Sequence, residues 1–254
     1  MARSGFARRL ASADRCLFGT WVKIPALETV EILADAGFDF VVIDQEHAPL
    51  TFEFAYQATV TAQGAGLAVV VRVPDRSGSH LQRLLDAGVD GILVPRVTGV
   101  EETSEAVRQM LFSPGGDRGM GITSRAGRWG GLPRDEYLRF GDEEVMRAVQ
   151  LEDRAAIEAV DDILDVPGLN GVFLGTGDLQ LSSGLTPSDP EFQKLVERFL
   201  SAAQARGIPA GTAVQTVEQA REAAGRGFRY VMVSNDTGLL QSAAAATVAG
   251  LTSA

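Results

Sequence analysis

Several short apolar runs in this sequence stop on side chains that can hold a charge or move a proton. LFGTWV leads into Lys23 and carries Trp21 near its end. FVVID closes on Asp44 and continues as Gln45-Glu46-His47. AVVV closes on Arg72, AVQL runs into Glu152, and GVFLG leads into Thr176-Gly177-Asp178. An acid, a cation or an imidazole placed directly after a buried run is costly unless a partner or a ligand answers it.

Glu152 and Asp178 are two hard oxygen donors with no Cys or His beside them, which suits Mg²⁺ or Mn²⁺. Two carboxylates leave four octahedral positions, enough for a bidentate 2-oxo acid and two waters. The plainer alternative is that each acid pairs with an Arg or caps a helix. Arg72 offers a planar fork to an oxygen that develops negative charge, or simply pairs with Asp44 or Glu46. Asp44 lies three residues before His47 and could orient its imidazole for general-base work; a hydrogen-bonded structural histidine is the alternative. Gly175 and Gly177 are small enough to let main-chain N–H groups approach an anion. His80, inside SGSHLQRLL, reads as a helix residue with no role.

These residues need elements to position them. Eight apolar runs recur, at 17–22, 38–43, 68–73, 91–94, 146–151, 171–174, 208–213 and 228–233. Each is nearly all apolar, as strands buried on both faces are. Between them lie stretches of helical period, among them 26–36, 79–87 and 217–224, and Gly37, Gly88 and Gly225 or Gly227 follow as stop signals. This alternation predicts a (β/α)8 TIM barrel of the α/β class, one domain over 1–254, whose catalytic groups sit at the C-terminal strand ends. A doubly wound sheet would show G-x-G-x-x-G after its first strand, and none is present. The connection from about 112 to 145, with Arg118, Arg125, Arg128, Arg134 and Trp129, is too long for a simple loop and reads as an ordered lid, a subunit contact or a solvated surface loop.

The formal charge of −10 argues against nucleic acid or an anionic membrane as a partner. One cysteine, Cys16, allows no intrachain disulfide and fits a reducing compartment. No apolar run is long enough to span a bilayer, and the first residues lack a signal-peptide core, so the expected location is cytoplasmic. G-x-S-x-G, G-x-x-x-x-G-K-[ST] and H-E-x-x-H are all missing, which removes common hydrolase, P-loop and zinc-protease readings.

The blocks GTW at 19–21, VVIDQEHAP at 41–49, VVVRVP at 69–74, LLDAGVDGILVP at 84–95, GDRGMG at 116–121, VQLED at 149–153 and GVFLGTGDLQ at 171–180 resemble the HpcH/HpaI aldolase family, in order and over almost the whole chain. The resemblance implies a metal-dependent class II aldolase, a carbon–carbon lyase that splits a 4-hydroxy-2-oxo acid into pyruvate and an aldehyde. It also implies a homo-oligomer, a trimer or hexamer, with a swapped C-terminal helix. By motif position Glu152 and Asp178 would bind Mg²⁺, Mn²⁺ or Co²⁺. Arg72 would hold the 2-oxo group and stabilise the enolate, and His47 paired with Asp44 would be the base. Asp86 would support that pair across a subunit contact. Trp21 would wall the pyruvate site, and the main chain at Gly177 would take the carboxylate. Arg96, Lys23 and the polar stretch 211–216 depart from the family pattern, and Arg96 or Lys23 is expected to bind an acidic or hydroxylated substrate tail. Alternatives are other pyruvate-enolate lyases or synthases on the same scaffold, of citrate-lyase or macrophomate-synthase type, and a Schiff-base aldolase using Lys23. A barrel that only binds a small acid is the non-enzymatic alternative.

Overall fold

A computed structural model describes residues 5–252. The strands are β1 (Leu17–Val22), β2 (Phe40–Asp44), β3 (Ala68–Arg72), β4 (Gly91–Val94), β5 (Met146–Leu151), β6 (Gly171–Leu174), β7 (Ala210–Val214) and β8 (Tyr230–Asn235). All neighbours are parallel and β8 closes onto β1, so the sheet is a complete barrel. β2 begins at Phe40 instead of Phe38. The Asp39 side chain takes the Phe18 N–H at 2.8 Å and an Arg15 ion pair, which makes 38–39 a turn.

Parity along each strand sorts the side chains into two layers. Val41 and Ile43, Val69 and Val71, Val149 and Leu151, and Val172 and Leu174 face outward and meet the helices. Phe40 and Val42, Ala68 and Val70, Met146 and Ala148, and Phe173 face inward. Asp44, Arg72 and Gln150 continue the inward parity, so they must point into the barrel at its C-terminal mouth. The strand register sets Asp44 directly beside Arg72.

The barrel interior is an aromatic column. Phe6 packs on Phe40 at 4.8 Å between centroids, Phe40 and Phe173 each meet Tyr230 at 6.3 Å, and Phe173 meets Trp21 edge-on at 6.1 Å. Two glycines make room for it. A Cβ on Gly19 would sit 2.6 Å from the Phe40 ring, and one on Gly211 would sit 2.2 Å from the Tyr230 ring.

The helices that follow the strands are α2 (Leu27–Asp35), α3 (Phe52–Gly64), α4 (Gly78–Ala87), α5 (Val100–Met110), the pair α7 (Arg154–Glu158) and α8 (Val160–Leu164), then α9 (Thr176–Ser183), α10 (Pro190–Ala205) and α11 (Val217–Arg226). Gly88 and Gly227 end α4 and α11 at φ of 82° and 107°, a left-handed turn that glycine adopts without Cβ strain.

A short helix that the periodicity did not reveal, α1 (Phe6–Ser12), plugs the N-terminal mouth with Phe6 and Leu10. Its start is tied down by the Gly5 N–H, which donates to Glu144 Oε2 at 3.0 Å.

The connection between α5 and β5 holds α6 (Arg134–Arg139) and a wide helical turn at Phe140–Glu144. It leaves the C-terminal end of α5 and enters the N-terminal end of β5, so it lies at the barrel end away from the strand-end residues. Arg147 fastens it by donating to the carbonyls of Gly141, Asp142 and Val145. Within one chain the lid expectation therefore fails.

The last helix, α12 (Asp236–Thr252), is exposed from Leu239 onward. Among the described residues no helix is long and apolar enough to cross a membrane.

Candidate active site

Asp44 is the hub of the mouth. Its side chain has no solvent exposure. Arg72 donates to it twice, from Nε at 2.9 Å and Nη2 at 2.8 Å, and Lys23 Nζ lies 2.8 Å from Oδ2. Main-chain N–H groups of Glu46 and His47 donate to Oδ1 at 3.2 Å. Burial alone would push this carboxyl up; the Arg72 hydrogen bonds and charge, with Lys23 and His47 N–H behind them, outweigh it and bring it down to about 2.

The expected pairing of the Asp44 carboxylate with the His47 ring is not formed, because Arg72 and Lys23 occupy that carboxylate and His47 reaches it only through its backbone. The ring is open, with a side chain 58% exposed, and its nearest acid is Glu46, with Nε2 3.6 Å from Oε2.

Arg72 serves both neighbours anticipated from sequence, since its Nη1 also lies 3.3 Å from Glu46 Oε2. A guanidinium has five N–H donors, so two of its donors remain for an incoming oxygen. The guanidinium carbon stands 4.2 Å from the Trp21 ring centroid, a cation–π contact that braces the fork at the wall of the mouth.

Glu152 is buried beside Gln150, whose amide donates to Glu152 Oε2. Burial raises the Glu152 carboxyl above the ordinary range; the Gln150 hydrogen bond opposes this, and the charges of Asp178 and Glu46 add to it. Gly175 makes that placement possible, since a Cβ there would come within 2.7 Å of Glu152 Cβ. Asp178, in the first turn of α9, is exposed to the mouth and has no ion pair or hydrogen-bond partner among the described residues. It lines a cleft of about 540 Å³ with Trp21, Lys23, Arg72, Gln150 and Gly177. Two neighbouring carboxylates whose charges repel, neither of them ion-paired among the described residues, fit a hard divalent ion. No group of three or more His, Cys, Asp or Glu side chains among the described residues forms a cage, so substrate and water oxygens would have to complete the shell.

Other expected residues fall elsewhere. Asp86 ends α4 at the far end of the barrel, where Arg118 Nη2 donates to it at 3.2 Å and Tyr137 Oη lies at 3.5 Å. It does not reach His47 within one chain. Arg96 and Lys23, expected at a substrate tail, each also hold an acid: Arg96 Nε is 3.2 Å from Glu46 Oε1, and Lys23 Nζ is 2.8 Å from Asp44 Oδ2. His80 is more than a helix residue, since its Nε2 lies 2.9 Å from Gln45 Oε1 between the two acids of β2 and its loop. Glu46 and Gln150 were missed as site residues; inward parity after Ala148 was the available signal for Gln150.

A profile of the HpcH/HpaI aldolase/citrate lyase family matches residues 17–243. The chain belongs to this family. It is 34% identical over 249 residues to the 4-hydroxy-2-oxovalerate aldolase of Rhodococcus jostii, covering 97% of this chain and 95% of that one. It is 35% identical to a 4-hydroxy-2-oxo-heptane-1,7-dioate aldolase of Escherichia coli, over 93% of this chain and 91% of the other. A crystal structure of an HpcH/HpaI aldolase from Desulfitobacterium hafniense superposes with a TM-score of 0.92 at 29% identity, covering 99% and 98% of the two chains. As a member of the HpcH/HpaI family the protein is a carbon–carbon lyase.

Proposed function

We propose that the protein is a divalent-metal-dependent aldolase that cleaves a 4-hydroxy-2-oxo acid to pyruvate and an aldehyde, and runs the reverse addition. The observation that carries this is Asp178 lining the mouth with Arg72 and paired with no cation among the described residues, with the buried Glu152 carboxylate close enough to feel its charge. Glu152 and Asp178 would hold Mg²⁺, Mn²⁺ or Co²⁺, which supplies Lewis-acid polarisation of the carboxylate and keto oxygens when bound.

The chain's own groups do the rest. N–H groups at the start of α9, at Gly177, receive the substrate carboxylate, aided by the positive end of the helix. The remaining Arg72 donors meet the keto oxygen as it gains negative charge. Trp21 closes the wall behind it. His47 takes the proton of the C4 hydroxyl. The O–H electron pair becomes the carbonyl of the departing aldehyde, and the C3–C4 pair passes into the pyruvate enolate, which is then protonated at C3.

The ion pair between Lys23 and Asp44 works against the Schiff-base alternative. Lys23 Nζ is committed to the buried Asp44 carboxylate at 2.8 Å, and a nitrogen held there is not presented to a substrate carbonyl. Borohydride with pyruvate is expected to leave Lys23 unmodified.

The protein acts as a cytoplasmic homo-oligomer, a trimer or hexamer, in this reading. Support comes from the exposed Leu240 and Leu251 on α12 and from Trp129, exposed on a left-handed backbone at φ 58°. A swapped α12 would cover the former, and Asp86 of a neighbouring copy would approach His47.

Deuterium exchange of the pyruvate methyl group tests the enolate half without the aldehyde. Exchange that needs added divalent metal and stops with chelator is expected. Exchange indifferent to chelator overturns the metal role, and absence of exchange under all conditions overturns the aldolase.

A further inference from the structure

Arg96 follows β4 in a left-handed conformation, φ 54°, that an arginine adopts only against a steric cost. Its Nε lies 3.2 Å from Glu46 Oε1 and Nη2 donates to the Pro74 carbonyl at 3.0 Å, although the side chain as a whole is 65% exposed.

Glu46 needs this. Its side chain is 8% exposed, and Oε2 is buried without a hydrogen-bond partner. Arg72 is nearby at 3.3 Å but already commits Nε and Nη2 to Asp44. Without Arg96, Oε1 loses its ion pair and an under-compensated carboxylate faces Glu152.

We infer that Arg96 is a positioning residue: its guanidinium, tied to the Pro74 carbonyl, clamps Glu46 against Arg72, so that one residue in the turn after β4 keeps the acid after β2 in place. The exposed, charged side chain is thereby a part of the mouth and not a hand for the substrate tail. The inference rests on the aldolase reading only for its metal-binding readout.

Three proteins test it: wild type, Arg96→Met and Arg96→Lys, each analysed by Mn²⁺ titration, thermal unfolding and crystallography. Arg96→Met is expected to bind Mn²⁺ roughly tenfold to a hundredfold more weakly, the usual cost of removing a supporting group beside a metal site, with Tm within about 3 °C of wild type. Arg96→Lys should recover most of the affinity, because the charge beside Glu46 returns. In crystals of Arg96→Met, Glu46 should turn away from Arg72. Unchanged affinity with Glu46 in place overturns the inference, as does equal weakening in Arg96→Met and Arg96→Lys. If wild type binds no Mn²⁺, the metal reading falls, and the position of Glu46 in Arg96→Met still decides the clamp.

Discussion

Both oxygens of Asp44 are occupied, by Arg72, by Lys23 and by two main-chain N–H groups, and the carboxylate itself is out of contact with solvent. Asp44→Asn removes the counter-charge for two cations at once. A loss of about 3–5 kcal/mol in urea denaturation is expected, the range for leaving buried charge unpaired. The pH dependence has a definite sign. The Asp44 carboxyl lies below its unfolded value, so its contribution is complete above about pH 4 and disappears as pH falls through about 2. Acid titration of wild type against Asp44→Asn should show the difference shrinking in that window. A difference that persists to pH 1.5, or one that grows, contradicts the assignment. The residue types at the strand ends were legible in the sequence because a charge after a buried run stands out. Their partners were legible for Arg72, whose pairing with Asp44 or Glu46 is one of two readings, but not for Lys23, Arg96 or His47. Asp44 and His47 are close in number, but Asp44 and Arg72 are neighbours through strand register, which sequence distance does not display.

At the scale of elements, the strands and most helices follow from apolar runs and glycine stops, and their boundaries agree within about two residues. Three features stayed hidden. α1 is too short and too charged for periodicity to mark, and it forms because Phe6 caps the aromatic column, packing on Phe40 of β2 and Tyr230 of β8. The 111–145 connection signals its length but not its side of the barrel, which chain direction alone decides. α12 follows from the family resemblance and not from the alternation of runs, and its exposed apolar residues do not name the surface they meet. The glycines allow a test that separates packing from chemistry. Gly211→Ala drives a Cβ into the Tyr230 ring, whose hydroxyl is anchored to the Val172 carbonyl at 2.8 Å. A loss of about 1–3 kcal/mol or more is expected in chemical denaturation. Gly177 has no atom within 4 Å of a would-be Cβ. Gly177→Ala should leave stability equal or raise it by about 0.4–1 kcal/mol while raising the KM for pyruvate exchange. Unchanged KM would mean that the substrate carboxylate does not rest there.

For the whole molecule, the barrel gathers one net arrangement at its mouth: Lys23, Arg72 and Arg96 against Asp44, Glu46, Glu152 and Asp178. The three cations are each within 3.3 Å of Asp44 or Glu46, which leaves Glu152 and Asp178 without a countercharge of their own. The central claim is that a divalent cation belongs there. Equilibrium Mn²⁺ binding followed by electron paramagnetic resonance tests it directly, on wild type, Glu152→Gln and Asp178→Asn. The account predicts one tightly held ion per chain in wild type and loss of that ion in both variants, with the fold retained. Absence of binding in wild type, or binding that survives both substitutions, would contradict it.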